Sequence, residues 1–174
     1  MNTKLLIFLS LVFFTSCKSD LILLNQKVYF EMHSANSAWG FHNSGYVIDS
    51  AGNVLSFELS QKSYAWNEPD SLGFITSEAM NINVSRCNSV IQKLNADSLA
   101  LYVRKIPAAS LGKISKPKQV MADAGSISYS AYIYDAKKDR YKRVLLKMWG
   151  DWMITNDAPE AQQLYLWMSK LGVK

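Results

Sequence analysis

The side chains that could act as nucleophiles or metal ligands are few, since the chain has two cysteines and two histidines. Cys87 could act as a nucleophile with His33 or His42 as its base, because such a pair needs a thiolate within hydrogen-bond reach of an imidazole. Cys87 falls on an apolar stripe, however, and free cysteines are among the most buried residues, so we predict an inert thiol. The two histidines have no cluster of Cys, Asp or Glu beside them, so they predict no metal site.

Glu68 begins a segment that partly matches the calcium loop of an EF-hand. Leu72 stands at its fifth position, and Ala79 stands where a bidentate glutamate is required. We therefore predict a turn leading into a helix capped by Thr76 or Ser77. The sequence contains no Gly-rich phosphate loop, serine elbow, suggestive pair of carboxylates or zinc motif. It therefore assigns no catalytic residue, no metal ligand and no cofactor.

Aromatic and basic side chains are the candidate binding residues. Two segments, 39–41 and 149–152, place tryptophans beside glycines in predicted loops, where exposed rings would suit contact with carbohydrate or protein and buried rings would belong to the core. Basic residues interleaved with tyrosines surround residues 135–140 and could engage anionic headgroups, polysaccharide or an acidic partner. The alternative for this group is a solvated hairpin. The candidate ligand-binding residues are Trp39, Lys138, Arg140, Tyr141, Trp149 and Trp152.

The elements that must position these residues are mostly strands. Alternation of apolar and polar residues predicts a first strand at 27–32, in which Glu31 and His33 face away from Phe30. Two β-rich runs, 45–48 and 54–59, flank a segment rich in turn formers and predict a hairpin. The clearest hairpin joins 127–134 to 141–149.

Helices are predicted near the middle and at the end of the chain. Asp97 should cap a helix that Pro107 stops, and Asp157 should cap a last helix that ends at Gly172. Residues 77–94 fit a helical stripe, although 90–94 could instead be a strand. Hairpins combined with two or three amphipathic helices predict an α+β fold, with an antiparallel sheet covered by helices on one face.

The amino terminus has the pattern of a secretory signal. A short positive region precedes ten apolar residues, which span about 15 Å as a helix, roughly half of a bilayer core. The end of this signal, Phe14-Thr15-Ser16-Cys17, resembles the lipobox of bacterial lipoproteins. The resemblance implies that Cys17 becomes the first residue of the mature protein and carries a diacylglycerol and a further acyl chain. Lys18 follows in place of the aspartate that favours the inner membrane, which favours the outer membrane.

Composition and the predicted lipid define the domain organisation. We predict a signal peptide at 1–16, a short lipid-anchored tether at 17–26 and a single domain at 27–174, which is long enough to bury a core. Lipidation of Cys17 leaves Cys87 without an intrachain disulfide partner. The net charge of +5 is dispersed, and in an exported protein it indicates anionic headgroups rather than nucleic acid.

Four segments are similar to those of small lipoproteins of the Bacteroidetes phylum: 38–40, 45–49, 121–125 and 158–161. This resemblance implies a place in the cell envelope and no mechanism, and beyond Cys17 it transfers no functional residue. Our leading prediction is a non-enzymatic, membrane-anchored binding or interaction module. Its partners would be the membrane, through the lipid on Cys17, and an envelope protein or glycan. The alternatives are a periplasmic immunity or inhibitor protein and an envelope enzyme that uses Cys87.

Overall fold

The computed structural model describes residues 26–59 and 65–171. The predicted signal peptide, Cys17 and most of the predicted tether lie outside the described residues. Gly172, the predicted end of the last helix, also lies outside them.

The described residues form a nine-stranded sheet in which every pairing is antiparallel. The order is β5-β3-β2-β1-β7-β8-β9-β6, and β4 pairs with β8 outside this path. The strands are β1 (Val28–Asn36), β2 (His42–Asp49), β3 (Asn53–Glu58), β4 (Phe74–Thr76), β5 (Ser89–Lys93), β6 (Lys118–Gln119), β7 (Ser126–Asp135), β8 (Arg140–Gly150) and β9 (Trp152–Thr155).

Both predicted hairpins are confirmed. Strands β2 and β3 pair from Ile48 opposite Val54, and the Asp49 carboxylate accepts a hydrogen bond from the Asn53 backbone N–H at 2.8 Å, which closes the turn. Strands β7 and β8 pair along their whole length, from Ser126 opposite Gly150 to Asp135 opposite Arg140. The first strand is also confirmed, and it runs further than predicted because β2 and β7 pair with it on its two sides.

Helices α1 (Ser77–Ser85), α2 (Ala96–Val103), α3 (Ile106–Ala109) and α4 (Pro159–Met168) complete the fold. Thr76 caps α1 as predicted, since its Oγ1 accepts from the Ala79 N–H at 3.1 Å. The stretch 77–94 contains both of the structures considered for it. The helix ends at Ser85, and strand β5 follows.

The prediction that Asp97 caps a helix ending at Pro107 is wrong. Asn95 is the N-cap of α2, and its Oδ1 accepts from the Asp97 N–H at 2.8 Å. Asn and Asp cap helices equally well, so the sequence does not distinguish two such residues so close together. The helix ends at Val103, and Pro107 lies in the first turn of α3, where its missing N–H costs nothing.

The predicted cap of the last helix is also wrong. Ala158 occupies the N-cap of α4, and its N–H is bound by Asn156 Oδ1 at 3.0 Å. The Asp157 carboxylate instead accepts from the Lys113 N–H at 2.7 Å. The loop before β6 therefore uses this carboxylate, which a local sequence pattern does not show.

The sheet is packed on both faces, which corrects the expectation of helices on one face only. Neighbouring strand residues such as Ile48 and Val47 belong to two different apolar clusters, because successive side chains point to opposite faces. Helices α2, α3 and α4 pack on one side, here called the α4 face. Helix α1, strand β4 and Trp66 pack on the other, here called the Trp66 face. The fold is α+β as predicted, but the helices cover the sheet only in part.

Candidate functional site

An open cleft of about 430 Å³ lies at the end of the sheet where β1 finishes. Ala35, which contributes to it, pairs with Asn43 of β2 and Ser126 of β7 and shares the Trp66 face with His33. The cleft lining comes from 35–37, 41–43 and 125–126, together with Met148, Asp151 and Trp152.

The close approach of two backbone segments positions the wall that carries Trp152. Gly150 has φ +139°, and a Cβ there would collide with the carbonyl oxygen of Gly125, so this crossing requires glycine. The Asp151 N–H donates to that same carbonyl at 2.8 Å. The Asp151 carboxylate accepts from the Ala124 N–H, also at 2.8 Å. These bonds hold the turn after β8 and direct the chain into β9 at Trp152.

A second, mainly apolar hollow of about 630 Å³ adjoins the cleft. It is lined by Lys116, Pro117 and Ile154, and it shares Met148 and Trp152 with the cleft. Trp152 therefore borders both spaces, and the cleft and the hollow together are called the groove below.

The structure exposes all three predicted tryptophans but does not place them together. Trp152, 47% exposed, lines the cleft, and Trp39, 84% exposed, lies on the turn between the cleft residues Ser37 and Phe41. Trp149 is 45% exposed. It follows Met148 on β8 and therefore points to the opposite face of the sheet.

The predicted basic group lies at the other end of the sheet. Lys138 is exposed in the turn between β7 and β8, whereas Arg140 is half-buried. The Arg140 guanidinium lies 3.5 Å from the centre of the Phe74 ring and 3.8 Å from the Asp135 carboxylate. Tyr141 is buried against Tyr132 and Tyr134, so its ring packs in the core. Strand β8 separates this turn end from the cleft end by about 33 Å.

A group of ionisable residues beside the cleft, in which Glu31 and His33 are buried and Glu68 is half-exposed, was not predicted from the sequence. The His33 Nδ1 lies 2.7 Å from the Glu68 carboxylate, and its Nε2 lies 2.9 Å from Oδ1 of Asn43. Arg143 lies 3.8 Å from the other oxygen of Glu68. Glu31 is buried two residues before His33, on the same face of β1. Since Asn43 also lines the cleft, the ion group and the cleft share a residue.

The charges of this group depend on one another. Burial raises the pKa of the Glu31 carboxyl to about 7, and the charge of His33 only partly offsets this effect. Burial by itself would lower the pKa of His33, but the hydrogen bond and charge of Glu68 outweigh it and raise that pKa. The pKa of Glu68 is lowered, because His33 and Arg143 outweigh the effect of its own burial. A proton on His33 thus has an ionised partner in Glu68.

Two aromatic side chains enclose Glu31. The Tyr132 hydroxyl donates to its carboxylate at 3.1 Å. Trp66 stacks on Phe57, with ring centres 3.7 Å apart, and its indole N–H has no hydrogen-bond partner among the described residues. The alternation of β1 placed Glu31 and His33 on one face. It did not show that Trp66 and Glu68 would cover that face, because these lie more than thirty residues further along the chain.

Cys87 has the surroundings of an unreactive thiol. Its Sγ lies 3.8 Å from the Asn83 carbonyl oxygen, and burial raises its pKa to about 12, with a further contribution from the charge of Glu31. His33 is bound to Glu68 and Asn43, and His42 lies 3.0 Å from the Ser44 hydroxyl. No imidazole is therefore positioned as a base for Cys87 among the described residues.

The described part of the chain has neither a cluster of metal ligands nor a membrane-crossing helix. In residues 26–59 and 65–171, no group of three or more His, Cys, Asp or Glu side chains is arranged to hold a metal ion. None of the helices there combines the length and apolar character that crossing a bilayer requires.

Comparison of the chain with protein-family models, with curated proteins and with solved structures finds no match in any of the three.

Proposed function

We propose that this protein is a lipid-anchored, non-enzymatic binding module of the cell envelope, and that the cleft at the end of β1 is its ligand site. The observation that carries the proposal is the cleft itself. Two sequence segments far apart in the chain, 35–43 and 148–152, meet there and leave the Trp152 ring partly exposed. Its volume lies within the range of about 300–1,000 Å³ that is typical of small-molecule sites.

The position of the first described residues supports the anchoring part of the proposal. Gln26 binds the β7 backbone at Tyr132 and Tyr134, with bonds of 2.8 and 3.0 Å, next to the turn end of the sheet. Strand β1 then runs about 27 Å to the cleft end. A lipid on Cys17 would therefore attach to the domain at the turn end of the sheet, at the opposite end of β1 from the cleft. The residue after Cys17 is Lys18, which supports the outer membrane as the location.

Two measurements test the proposal. The first is fractionation of cells that express the wild-type protein or Cys17→Ala, because loss of the acyl chains removes about 0.8 kcal/mol of membrane binding for each methylene. We expect the variant in the soluble fraction. A variant that stays with the membranes would contradict the anchor.

The second measurement addresses the cleft. A photo-crosslinking amino acid is placed at Ser37, which is exposed in the cleft lining, or at Ser98, which is exposed on α2 at the other face. Crosslinking in intact cells should give adducts at position 37 and not at 98. Equal adducts at both positions, or none at either, would contradict a binding site in the cleft.

A further inference from the structure

We infer that the cleft binds a neutral carbohydrate, with a sugar ring packed on Trp152; this inference rests on the proposed function of the cleft. Charge is the first reason. Among the described residues that line the cleft there is no Lys or Arg, and the one carboxylate is that of Asp151. On these residues a phosphate, a sulfate or an acidic sugar would find no fixed positive charge to replace its hydration, since Lys116 lines the adjoining hollow and not the cleft.

The hydrogen-bonding groups left open in the cleft are the second reason. One oxygen of the Asp151 carboxylate accepts a hydrogen bond from the Ala124 N–H, and the other oxygen has no partner among the described residues. Within the same residues, the Asn43 Nδ2 is also without a partner. These two groups are an acceptor and a donor. Vicinal hydroxyls donate and accept at once, whereas an apolar ligand would leave both groups unpaired.

The aromatic surface is the third reason. A pyranose ring presents C–H groups on its faces and hydroxyls around its rim. The C–H groups carry partial positive charge, and the face of an indole ring is negative, so the two surfaces attract as well as exclude water. Trp152 is 47% exposed, and Met148 and Phe41 line the same cleft, so the cleft combines apolar surface with the polar groups.

The shape of the groove indicates more than one sugar unit. Because Trp152 borders both the cleft and the apolar hollow, a ligand that continues past its ring can contact Lys116, Pro117 and Ile154. A free monosaccharide would occupy only one of the two spaces. We therefore expect an oligosaccharide to bind more tightly than its monomer.

An extended peptide fits the cleft less well. Peptides commonly bind by adding a strand to an open sheet edge. The strands that contribute to the cleft floor, β1, β2 and β7, are each paired on both sides. No free edge is available on them, so a peptide ligand would lose its main-chain hydrogen bonds.

The test is calorimetric titration of the full-length protein in detergent with the trisaccharides of β-1,4-glucose, α-1,4-glucose and β-1,4-N-acetylglucosamine, and with an acidic uronate trisaccharide. Trp152→Ala is compared with Trp149→Ala, whose ring is equally exposed on the other face. Thermal melting checks that each variant folds. We expect at least one neutral trisaccharide to bind, with affinity reduced roughly tenfold or more by Trp152→Ala and less than about twofold by Trp149→Ala.

Each other outcome overturns the inference. Tighter binding of the uronate would exclude a neutral ligand, and equal losses in the two tryptophan variants would exclude the cleft. If no trisaccharide binds while Ser37 crosslinks to a protein, the carbohydrate inference fails and the binding function stands. If no trisaccharide binds and Ser37 gives no adduct, both fail.

Discussion

Replacing Glu31 with glutamine should change how the stability of the protein depends on pH. Glu31 is 4% exposed and accepts a hydrogen bond from Tyr132, so the carboxyl cannot reach water without opening the core. Burial raises its pKa from 4.5 to about 7 in the folded protein. Glutamine has nearly the same shape and keeps a carbonyl acceptor, but it cannot ionise.

The sign and size follow from the raised pKa. A carboxyl that binds its proton more tightly when folded favours folding at low pH, and this advantage is lost as the pH rises from 4.5 through about 7. The difference between the two values, at 1.36 kcal/mol for each pH unit, corresponds to about 3 kcal/mol. Most of this is lost between about pH 5 and about pH 8.

Neighbouring groups also change charge with pH. The quantity to interpret is therefore the difference in the free energy of unfolding between Glu31→Gln and the wild-type protein. The pKa of His33 is raised in the folded state, so its contribution to stability also falls as the pH rises. The pKa of Glu68 is lowered, and its contribution is lost only at more acid pH. Tyr132 and Cys87, whose pKa values are raised by burial, do not titrate in this range.

The assay is urea unfolding of the wild-type protein and Glu31→Gln at about pH 5 and about pH 8. We expect the free energy of unfolding of the variant, relative to wild type, to rise by about 2–3 kcal/mol between the two conditions. The control is Glu58→Gln, which removes the same charge from an exposed position at the end of β3. A relative stability of Glu31→Gln that is flat with pH, or that falls at high pH, would refute the reasoning.

Three further predictions concern the thiol, a strand crossing and the core. Cys87 should react with iodoacetamide at about pH 8 only after denaturation, because burial raises its pKa to about 12. Mass spectrometry would detect the label, and rapid labelling of the folded protein would contradict the prediction. Gly45→Ala should lower the free energy of unfolding by more than about 2 kcal/mol, since the added Cβ would collide with the Met32 carbonyl oxygen and lie 2.9 Å from the Phe57 ring. If urea unfolding gave that variant a free energy of unfolding close to the wild-type value, the prediction would be wrong, and strands β1 and β2 would have to move apart to accommodate the Cβ. Leu164→Ala should lower the free energy of unfolding by about 2–5 kcal/mol, because Leu164 is buried. Leu166→Ala, at a position 47% exposed on the same helix, should lower it much less. Similar losses of stability in the two variants would mean that α4 does not pack as described.

Local patterns were sufficient where the interactions are local. The hairpin around residues 49–53 was predictable because alternation and turn residues lie within a few positions of one another. The buried stripe of α4 was predictable for the same reason, and its members Ala161, Leu164 and Met168 are indeed buried. The caps were not, since Asn95 and Asp97 have similar capping ability and the Asp157 carboxylate is used by a distant loop.

In the candidate site, too, local features were predictable from the sequence and long-range ones were not. The sequence indicated that segments 39–41 and 149–152 carry aromatic rings that could be exposed, and the rings of Trp39, Trp149 and Trp152 are exposed. It could not show that only Trp152 lines the cleft, because that depends on the face of β8 and on the crossing at Gly150. The sequence also could not show that Tyr141 is buried in the apolar cluster of the Trp66 face, because its neighbours in the hairpin are charged.

By itself, then, the sequence determined the strand-rich α+β composition, the two hairpins, the last helix and the expectation of a lipid on Cys17, since each is encoded in neighbouring residues. Only the tertiary structure decided that both faces of the sheet are packed, that Glu31 and His33 are buried beside the half-exposed Glu68, and that part of the Trp66 face stays open near them. The physical reason is that pairing of β1 between β2 and β7 joins residues up to about a hundred positions apart. Which side chains become buried then depends on what packs over each face rather than on their own neighbours in the chain.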